Sequence, residues 1–281
     1  MALAGSAALT GCDGDGDGGA VPPATTSPGT VPPTTPTSTE PAPPTSPKPA
    51  PTGSPNPTVG PAGCRIPANL RGKDLERIPT SRKIVALTFD AGANADAVPS
   101  ILRTLAAENV PGTFFLTGRF VEDFPAESRQ IGDGYVVGNH TVTHPDLTTL
   151  SDAKVRAEIV NAERAIRAAT GEDPRRYFRF PLGARDERTI EIVNARCYVA
   201  FRWTVDSLGW QGTSGGMSAA KVASRVLDAA TPGEIVLMHV GSHPEDGSTL
   251  DADALPRIID GLRDRGYQFV SLTEVLGPEP D

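Results

Sequence analysis

The chain has 281 residues, and its first 63 hold 15 of the 28 prolines and none of the 15 aromatic residues, so this stretch cannot form a hydrophobic core. The formal net charge of −8 argues against a nucleic-acid-binding surface, and no run of 18 or more apolar residues could span a membrane as a helix. The rest of the chain, 64–281, is long enough for one folded domain.

The first twelve residues are mostly small and apolar and end in Leu9-Thr10-Gly11-Cys12. This ending resembles the lipobox of bacterial lipoproteins, in which the cysteine carries a lipid and the peptide before it is removed. A signal peptide normally begins with Lys or Arg, and residues 1–11 contain neither. We therefore interpret 1–11 as the remnant of a lipoprotein signal peptide whose basic region lies upstream, with Cys12 as the lipidation site. A chance cysteine at a frayed terminus is the alternative.

Residues 12–63 begin with alternating Asp and Gly and continue as a Pro/Thr/Ser-rich tract from Val21. The alternation does not match a calcium loop, because no apolar helices flank it and no Glu stands at the twelfth position. We predict a disordered, extended linker that reaches up to ~120 Å at ~3.1 Å per residue. Such a tether would hold the domain within the cell wall. We therefore expect an extracytoplasmic, monomeric lipoprotein attached to the membrane through Cys12, with a secreted protein as the alternative.

Two further cysteines, Cys64 and Cys197, lie in the predicted domain. Exported proteins meet an oxidising compartment, so the even number that remains after lipidation predicts a disulfide between them. Closing such a long loop stabilises the fold by up to ~5 kcal/mol through chain entropy, before strain is subtracted. Two buried free thiols are the alternative.

Short apolar runs alternate with longer segments of helical period through the domain. In chain order the pattern predicts strand 84–89, helix 95–108, strands 112–117 and 135–138, helix 151–169, strand 177–180, helix 186–196, strand 199–205, helix 218–229, strand 234–238, helix 252–265 and strand 268–272. About seven parallel strands in a chain of this size predict an α/β fold, a distorted (β/α) barrel that is irregular or incompletely closed. Neither a Gly-x-Gly-x-x-Gly nor a Walker sequence follows the first strand, so nucleotide binding has no support.

Polar residues stand at or near the carboxyl ends of these predicted strands. Because those ends meet at one mouth of a parallel barrel, the side chains should share a cleft. Three of the four histidines are among them, with carboxylates and an arginine. Each has an ordinary alternative, since an Asp after a strand is often a helix cap and a histidine after an apolar run is often part of the core. The residues are Asp90, His140, His144, Arg179, Asp206, Trp210 and His239.

Five short motifs built around these residues resemble, in order, those of the NodB-type polysaccharide deacetylases, the fourth family of carbohydrate esterases. They are Thr88-Phe89-Asp90, His140-Thr-Val-Thr-His144, Arg179-Phe-Pro181-Leu-Gly183, Val205-Asp206-Ser-Leu-Gly-Trp210 and Leu237-Met-His239. The resemblance covers about residues 80 to 276. It implies a distorted (β/α) barrel and a metal-dependent hydrolase that removes acetyl groups from N-acetylated, and sometimes O-acetylated, sugars.

The resemblance, together with the chemistry of the residues, assigns metal binding to His140 and His144. Two imidazoles four positions apart can face one ion, and Zn²⁺ accepts them, with Co²⁺ or Mn²⁺ as alternatives. Such an ion polarises the acetamide carbonyl and lowers the pKa of a bound water toward ~7.

The other roles follow the same resemblance. Asp90 would be the general base, Arg179 would keep it ionised and oriented, and His239 would donate a proton to the departing amine. The residues expected to line the acetyl pocket are Pro181, Trp210 and Leu237.

Two positions depart from the usual motifs. The second Asp of the usual first motif, a metal ligand, is replaced by Ala91, and the Asp that usually precedes the tryptophan of the fourth motif is replaced by Gly209. Asp206 is the nearest substitute for the latter and is therefore a further catalytic candidate. The third metal position would fall to water, substrate or a polar residue after the first strand, with Asp90, Asn94 and Asp96 the nearest.

Two hypotheses of different class follow. The first is an N-deacetylase that acts on peptidoglycan, the polymer that a wall-embedded lipoprotein meets first, with chitin, xylan or another glycan and O-acetyl esterase activity left open. The second is a non-catalytic glycan-binding lipoprotein on the same barrel. The retained Asp90, Arg179 and His239 favour the enzyme, because binding alone needs neither a base nor an acid.

Overall fold

The structure is a computed structural model that describes residues 66–276. The predicted signal-peptide remnant and linker lie outside these residues, and so do Cys12 and Cys64. Cys197 is disulfide-bonded, whereas its pairing with Cys64 stays a prediction. Within 66–276, no helix is both long enough and apolar enough to cross a membrane.

The described chain contains a curved sheet of parallel strands. Their bounds are β1 (Asp74–Leu75), β2 (Ile84–Ala91), β3 (Gly112–Leu116), β4 (Val136–Asn139), β5 (Arg176–Phe178), β6 (Tyr198–Phe201), β7 (Val205–Asp206), β8 (Glu234–His239) and β9 (Gln268–Phe269). Eight strands follow the order β1-β6-β5-β4-β3-β2-β8-β7, and β9 pairs with the beginning of β2. The predicted α/β architecture, a distorted and incompletely closed barrel, is confirmed.

The segment after β1 bridges the two ends of this strand path. The Arg202 N–H donates to the Leu75 carbonyl at 2.8 Å, and the Thr204 hydroxyl donates to the Glu76 carbonyl at 2.6 Å. Two residues further on, the Ile78 N–H donates to the Gly233 carbonyl at 2.8 Å. This segment therefore runs from β6 to the beginning of β8. It lies between β1 and β7, the two strands at the ends of the strand order.

Eight α-helices surround the strands within the described residues. They are α1 (Val98–Ala107), α2 (Gly118–Asp123), α3 (Pro125–Gly132), α4 (Asp152–Thr170), α5 (Glu187–Ala195), α6 (Ala219–Asp228), α7 (Leu250–Asp264) and α8 (Thr273–Leu276). The longest, α4, is capped at its carboxyl end by Gly171, whose φ of +81° is a conformation that glycine adopts without a steric penalty.

The two-residue period of β2 sorts its side chains between two cores. All eight residues of this strand are buried. Val85, Leu87 and Phe89 pack in the cluster beneath the helices, whereas Ile84 and Ala86 belong to the cluster inside the barrel. The inner series therefore continues through Thr88 to Asp90, which places this carboxylate at the inner mouth. In the same way, Ile235 on β8 begins the inner series that ends at His239.

Some elements differ from the sequence-based expectations. The predicted strand 199–205 is two strands, because the chain leaves the ladder between Phe201 and Val205. At this break the Arg179 side chain donates to the carbonyls of Phe201, the last residue of β6, and of Arg202. The sequence pattern did not predict β1, α2, α3 or α8.

Candidate active site

The candidate site lies where β2, β4, β5 and β8 end. Asp90 and His239 are direct partners in the register of the parallel β2–β8 ladder. His140 follows β4, and Arg179 follows β5 by one residue. A pocket of about 430 Å³ opens there, and its lining includes Asp90, His140, His144, Trp210 and His239. The structure thus brings together most of the residues singled out in the sequence.

Arg179 is fully buried and has a partner for each of its guanidinium nitrogens. Nη1 donates to Asp90 Oδ1 at 2.7 Å, and Nη2 donates to the Thr88 hydroxyl and to the Arg202 carbonyl, both at 2.9 Å. Nε donates to the Phe201 carbonyl at 3.1 Å. A buried charge is tolerated only when it is paired and hydrogen-bonded in this way.

Asp90 is held ionised by these contacts. Burial by itself would raise the pKa of this carboxyl, but the charge and the hydrogen bond of the Arg179 guanidinium outweigh it, so the pKa lies below its usual range. A carboxylate that stays charged and keeps one edge toward a pocket can accept a proton.

His140 is oriented by the backbone of Arg179. Its Nδ1 lies 2.8 Å from the Arg179 carbonyl oxygen, which can only accept, so Nδ1 carries the proton. Burial lowers the pKa of His140 to about 4, so the imidazole is neutral near pH 7. The lone pair of Nε2 therefore faces Asp90 Oδ2 at 3.3 Å. Two acceptors at this distance repel unless a cation or a proton lies near them.

His144 reaches the same pocket on an irregular loop, not on a helix. Thr141 and His144 have φ values of +69° and +59°, a region that few non-glycine residues adopt. The side chain of Asn139 accepts the Thr141 N–H at 2.9 Å, and Glu158 Oε2 accepts the next two N–H groups at 2.8 and 2.9 Å. These contacts place the His140 and His144 rings edge to face with centroids 4.7 Å apart.

His239 stands opposite Asp90 with its side chain 30% exposed. Its backbone N–H donates to Asp251 Oδ2 at 2.8 Å, and its Nδ1 lies 3.7 Å from the same oxygen. Burial lowers the pKa of this imidazole, but the carboxylates of Asp251, Asp90 and Asp206 outweigh that effect and raise it above its ordinary value. His239 is therefore poised to carry a proton near neutral pH.

Asp206 positions Trp210. Its Oδ2 accepts the indole N–H of Trp210 at 3.2 Å, and its Oδ1 accepts the Leu208 N–H at 2.9 Å. Asp206 lines a neighbouring groove of about 970 Å³, whereas Trp210 is half exposed at the rim of the 430 Å³ pocket. The predicted pocket residues Pro181 and Leu237 are buried and do not belong to the described residues that line the smaller pocket.

The comparisons with known proteins agree with this geometry. A family profile described as polysaccharide deacetylase matches residues 77–200. The peptidoglycan-N-acetylglucosamine deacetylase of Bacillus cereus is 34% identical over 199 residues, which cover 70% of each chain. This chain belongs to the polysaccharide deacetylase family. The chitooligosaccharide deacetylase of Sinorhizobium fredii is also 34% identical, over 72% of this chain and 96% of its own.

One similar solved structure bears on whether this polysaccharide deacetylase domain is active. It is a mutant, with restored enzymatic activity, of a CE4 family pseudoenzyme from Bacillus anthracis. Its sequence is 32% identical, the TM-score is 0.66, and the match covers 73% of this chain and 71% of that one. The family therefore contains both enzymes and proteins whose site has lost activity, and the residues of each site have to be judged individually.

The donor atoms of this polysaccharide deacetylase site fit a cation held by two imidazoles. His140 Nε2 presents a lone pair toward the pocket, and the Arg179 carbonyl on its other nitrogen fixes the tautomer, as partners behind metal ligands commonly do. Ala91 supplies no donor, and the part of the chain at 66–276 has no group of three or more His, Cys, Asp or Glu side chains arranged to hold a metal. Water or substrate oxygen would have to complete the shell that three protein ligands usually begin.

Asp251 is the site residue that sequence reasoning missed. It lies in the first turn of α7, and only 3% of its surface is exposed. Its partner His239 lies twelve residues earlier, at the end of β8. An acidic residue on the buried side of an amphipathic helix is the signal that could have drawn attention to it. Its partner could not be read from the sequence, because a loop of unknown path separates the two.

Proposed function

We propose that this protein is a metal-dependent hydrolase that removes acetyl groups from N-acetylated sugars of peptidoglycan. The observation that carries the proposal is the arrangement across the ends of β2 and β8, where an ionised Asp90 faces His239, whose pKa is raised. A glycan-binding surface has no need of a buried base and a facing acid, whereas hydrolysis of an amide needs both.

Asp90 and His239 act in turn on one acetamide group. Asp90 accepts a proton from the attacking water while the water oxygen bonds to the acyl carbon. The carbon–nitrogen bond then breaks, and protonated His239 donates to the departing nitrogen, which leaves acetate and a free amine. Arg179 keeps Asp90 charged and prevents the carboxylate from turning away from the pocket, because it holds Oδ1 at 2.7 Å.

The divalent cation is assigned to His140 and His144, with Zn²⁺ as the first candidate and Co²⁺ or Mn²⁺ as alternatives. When bound, such an ion supplies Lewis-acid chemistry, which polarises the acyl oxygen and makes water more acidic. The neutral state of His140 suits this role, because only the unprotonated imidazole can donate a lone pair.

The substrate and the cellular location are inferred together. The two relatives, a peptidoglycan-N-acetylglucosamine deacetylase and a chitooligosaccharide deacetylase, support an N-acetylated aminosugar polymer as the substrate. A lipid anchor at Cys12 followed by a linker would place the domain outside the cell membrane, against peptidoglycan. We expect Cys12→Ala in the full-length precursor to release the protein from the membrane fraction.

A second candidate function, non-catalytic glycan binding, is favoured by the replacements at two motif positions, Ala91 and Gly209. The similarity to a pseudoenzyme of the same family also supports this candidate function. The two candidates make opposite predictions for the release of acetate.

The deciding experiment measures acetate released from purified peptidoglycan by the wild-type protein, with and without a chelator. The proposal expects release that stops with chelator and returns on adding Zn²⁺. His140→Ala should lose both activity and bound metal. Absence of release by metal-loaded protein, with intact glycan binding, would instead support the non-catalytic function.

A further inference from the structure

The space beside Gly209 is already filled by another residue. A Cβ atom built on Gly209 would lie 2.4 Å from Asp251 Oδ1, 2.5 Å from its Cγ and 2.8 Å from its Oδ2. Real Cβ atoms do not approach other atoms so closely. The carboxylate of Asp251 therefore lies next to the position at which the usual fourth motif carries its own Asp, and only glycine fits there while Asp251 stays in place.

Asp251 is also in contact with His239. Oδ2 accepts the His239 backbone N–H at 2.8 Å and lies 3.7 Å from the ring nitrogen Nδ1. The other carboxylate oxygen, Oδ1, and His239 Nδ1 are both buried, and within 66–276 neither has a hydrogen-bond partner. His239 Nδ1 thus has the Asp251 carboxylate 3.7 Å away, and a small rotation of the imidazole about its terminal torsion, which is broad in histidine, would bring the two groups within hydrogen-bond distance.

No other described carboxylate near His239 is as free to take this role. Asp90 and Asp206 also contribute to the field at His239. However, Asp90 is engaged by Arg179 and faces His140, while both carboxylate oxygens of Asp206 accept other N–H groups. The three carboxylates come from three different elements, β2, β7 and α7.

We infer that Asp251 is the positioning residue for His239, supplied by the first turn of α7 in place of the Asp missing at position 209. The inference rests on the proposed function and adds a residue to it. An acceptor at Nδ1 would hold the ring in the tautomer that leaves Nε2 toward the pocket and would stabilise the imidazolium form, as a buried carboxylate does for other catalytic histidines. In this chain the carboxylate beside His239 therefore belongs to α7 and not to the segment that follows β7.

The first test is Asp251→Asn, which keeps the shape of the side chain and an oxygen for the His239 N–H. We expect kcat for acetate release to fall about 10- to 100-fold, with KM little changed. The alkaline limb of the kcat profile should move to lower pH. The matched control is Asp253→Asn, two residues along the same helix and exposed to solvent, which should leave kcat and its pH profile unchanged.

The second test relocates the carboxylate. Gly209→Asp alone should fold poorly or lose activity, because its side chain meets Asp251. The double variant Gly209→Asp/Asp251→Ala should recover at least tenfold in kcat over Asp251→Ala, together with the alkaline limb of the pH profile. A folded double variant with no recovery would overturn the inference.

An NMR titration of the His239 ring separates this inference from the proposed function. We expect the pKa of His239 to be lower in Asp251→Asn than in the wild-type protein, whether or not the protein releases acetate. An unchanged His239 pKa would reduce Asp251 to a structural contact. If the wild-type protein releases no acetate, the proposed function is rejected, and the inference about Asp251 is still decided by the His239 pKa.

Discussion

The β2–β8 ladder carries a buried carboxylate at each of its ends, and the two differ in their partners and in the direction of their pKa shift. At the beginning of the ladder Glu234 pairs in register with Val85, and at its end Asp90 pairs with His239. Asp90 is bound by a buried guanidinium, and its pKa is lowered. Glu234 has no such partner, and burial raises its pKa to about 7, although a backbone N–H and the charge of Arg265 oppose this.

The difference teaches what makes a buried acid functional. Glu234 Oε1 has no hydrogen-bond partner among the described residues, and Oε2 accepts only a long 3.4 Å contact from the Thr231 N–H. Burial and a perturbed pKa are therefore present at both ends. Only the carboxyl end adds a fixed positive charge, a facing imidazole and an opening to solvent, as expected for a barrel whose catalytic mouth is the carboxyl end of its strands.

The largest expected effect comes from removing the charge at the site end. Asp90→Asn should lower turnover by about 10²-fold or more, because an amide cannot take the proton that the reaction releases. Arg179 would also lose its counter-ion, so the midpoint of thermal unfolding should fall. The rate of acetate release from peptidoglycan measures the first effect, and calorimetry measures the second.

The matched control for Asp90→Asn is the corresponding change at the other end of the ladder, Glu234→Gln, which should retain wild-type turnover. Full activity in Asp90→Asn would mean that another group is the base, with Asp206 the next candidate. Loss of activity in Glu234→Gln would mean that the two ends are coupled.

The second prediction concerns stability at the opposite end. The folded protein holds a proton on Glu234 up to about pH 7, whereas the unfolded chain releases it near the ordinary value of 4.5. The folded state therefore binds more protons between these values, and the free energy of unfolding should fall as pH rises through this window, by up to about 3 kcal/mol. Glu234→Gln should remove this decline and be more stable than wild type at pH 8 and similar at pH 5. Denaturant unfolding at both pH values checks it, and a pH-independent difference would contradict it.

Much of this site could be predicted because its parts lie at the ends of apolar runs. Continuous burial of β2 and β8 is visible as the runs Ile84–Phe89 and Glu234–Met238, and parallel strands place whatever follows them at one mouth. Asp90, His140 and His239 were identified in this way. That these residues share one mouth of the barrel can be predicted from the two-residue period of the strands and the parallel direction of the chain.

The remaining parts depend on contacts between distant segments. The predicted strand 199–205 is divided at the point where the Arg179 guanidinium donates to the carbonyls of Phe201 and Arg202. The His144 loop depends on Glu158, which belongs to the following helix. Asp251 meets His239 only after α7 has packed on the sheet. Such pairings are set by tertiary packing and leave no local period in the sequence.

The smallest expected effect tests how far the site end has been altered. Ala91 follows Asp90 on β2 and is fully buried, in the apolar cluster beneath the helices. An Asp at this position has two outcomes that differ in sign. If its carboxylate reaches the imidazole pair, Ala91→Asp should raise the affinity for Zn²⁺ about tenfold, since a third protein ligand replaces water. If it stays among apolar side chains, it becomes an unpaired buried charge, and the protein loses stability whether or not metal is present.

Two measurements separate these outcomes. Chelator competition gives the affinity, and thermal unfolding with and without Zn²⁺ shows whether the new carboxylate is used. We expect Ala91→Asp to be less stable than wild type without metal and to gain more from added Zn²⁺, because ligand binding stabilises only the folded state that holds the site. Ala91→Asn is the control for size and polarity, since an amide is a weak zinc ligand and should give little of the gain. Equal gains in wild type and Ala91→Asp would mean that the backbone after Asp90 directs this position away from the ion, and that a two-imidazole site is the complete protein contribution.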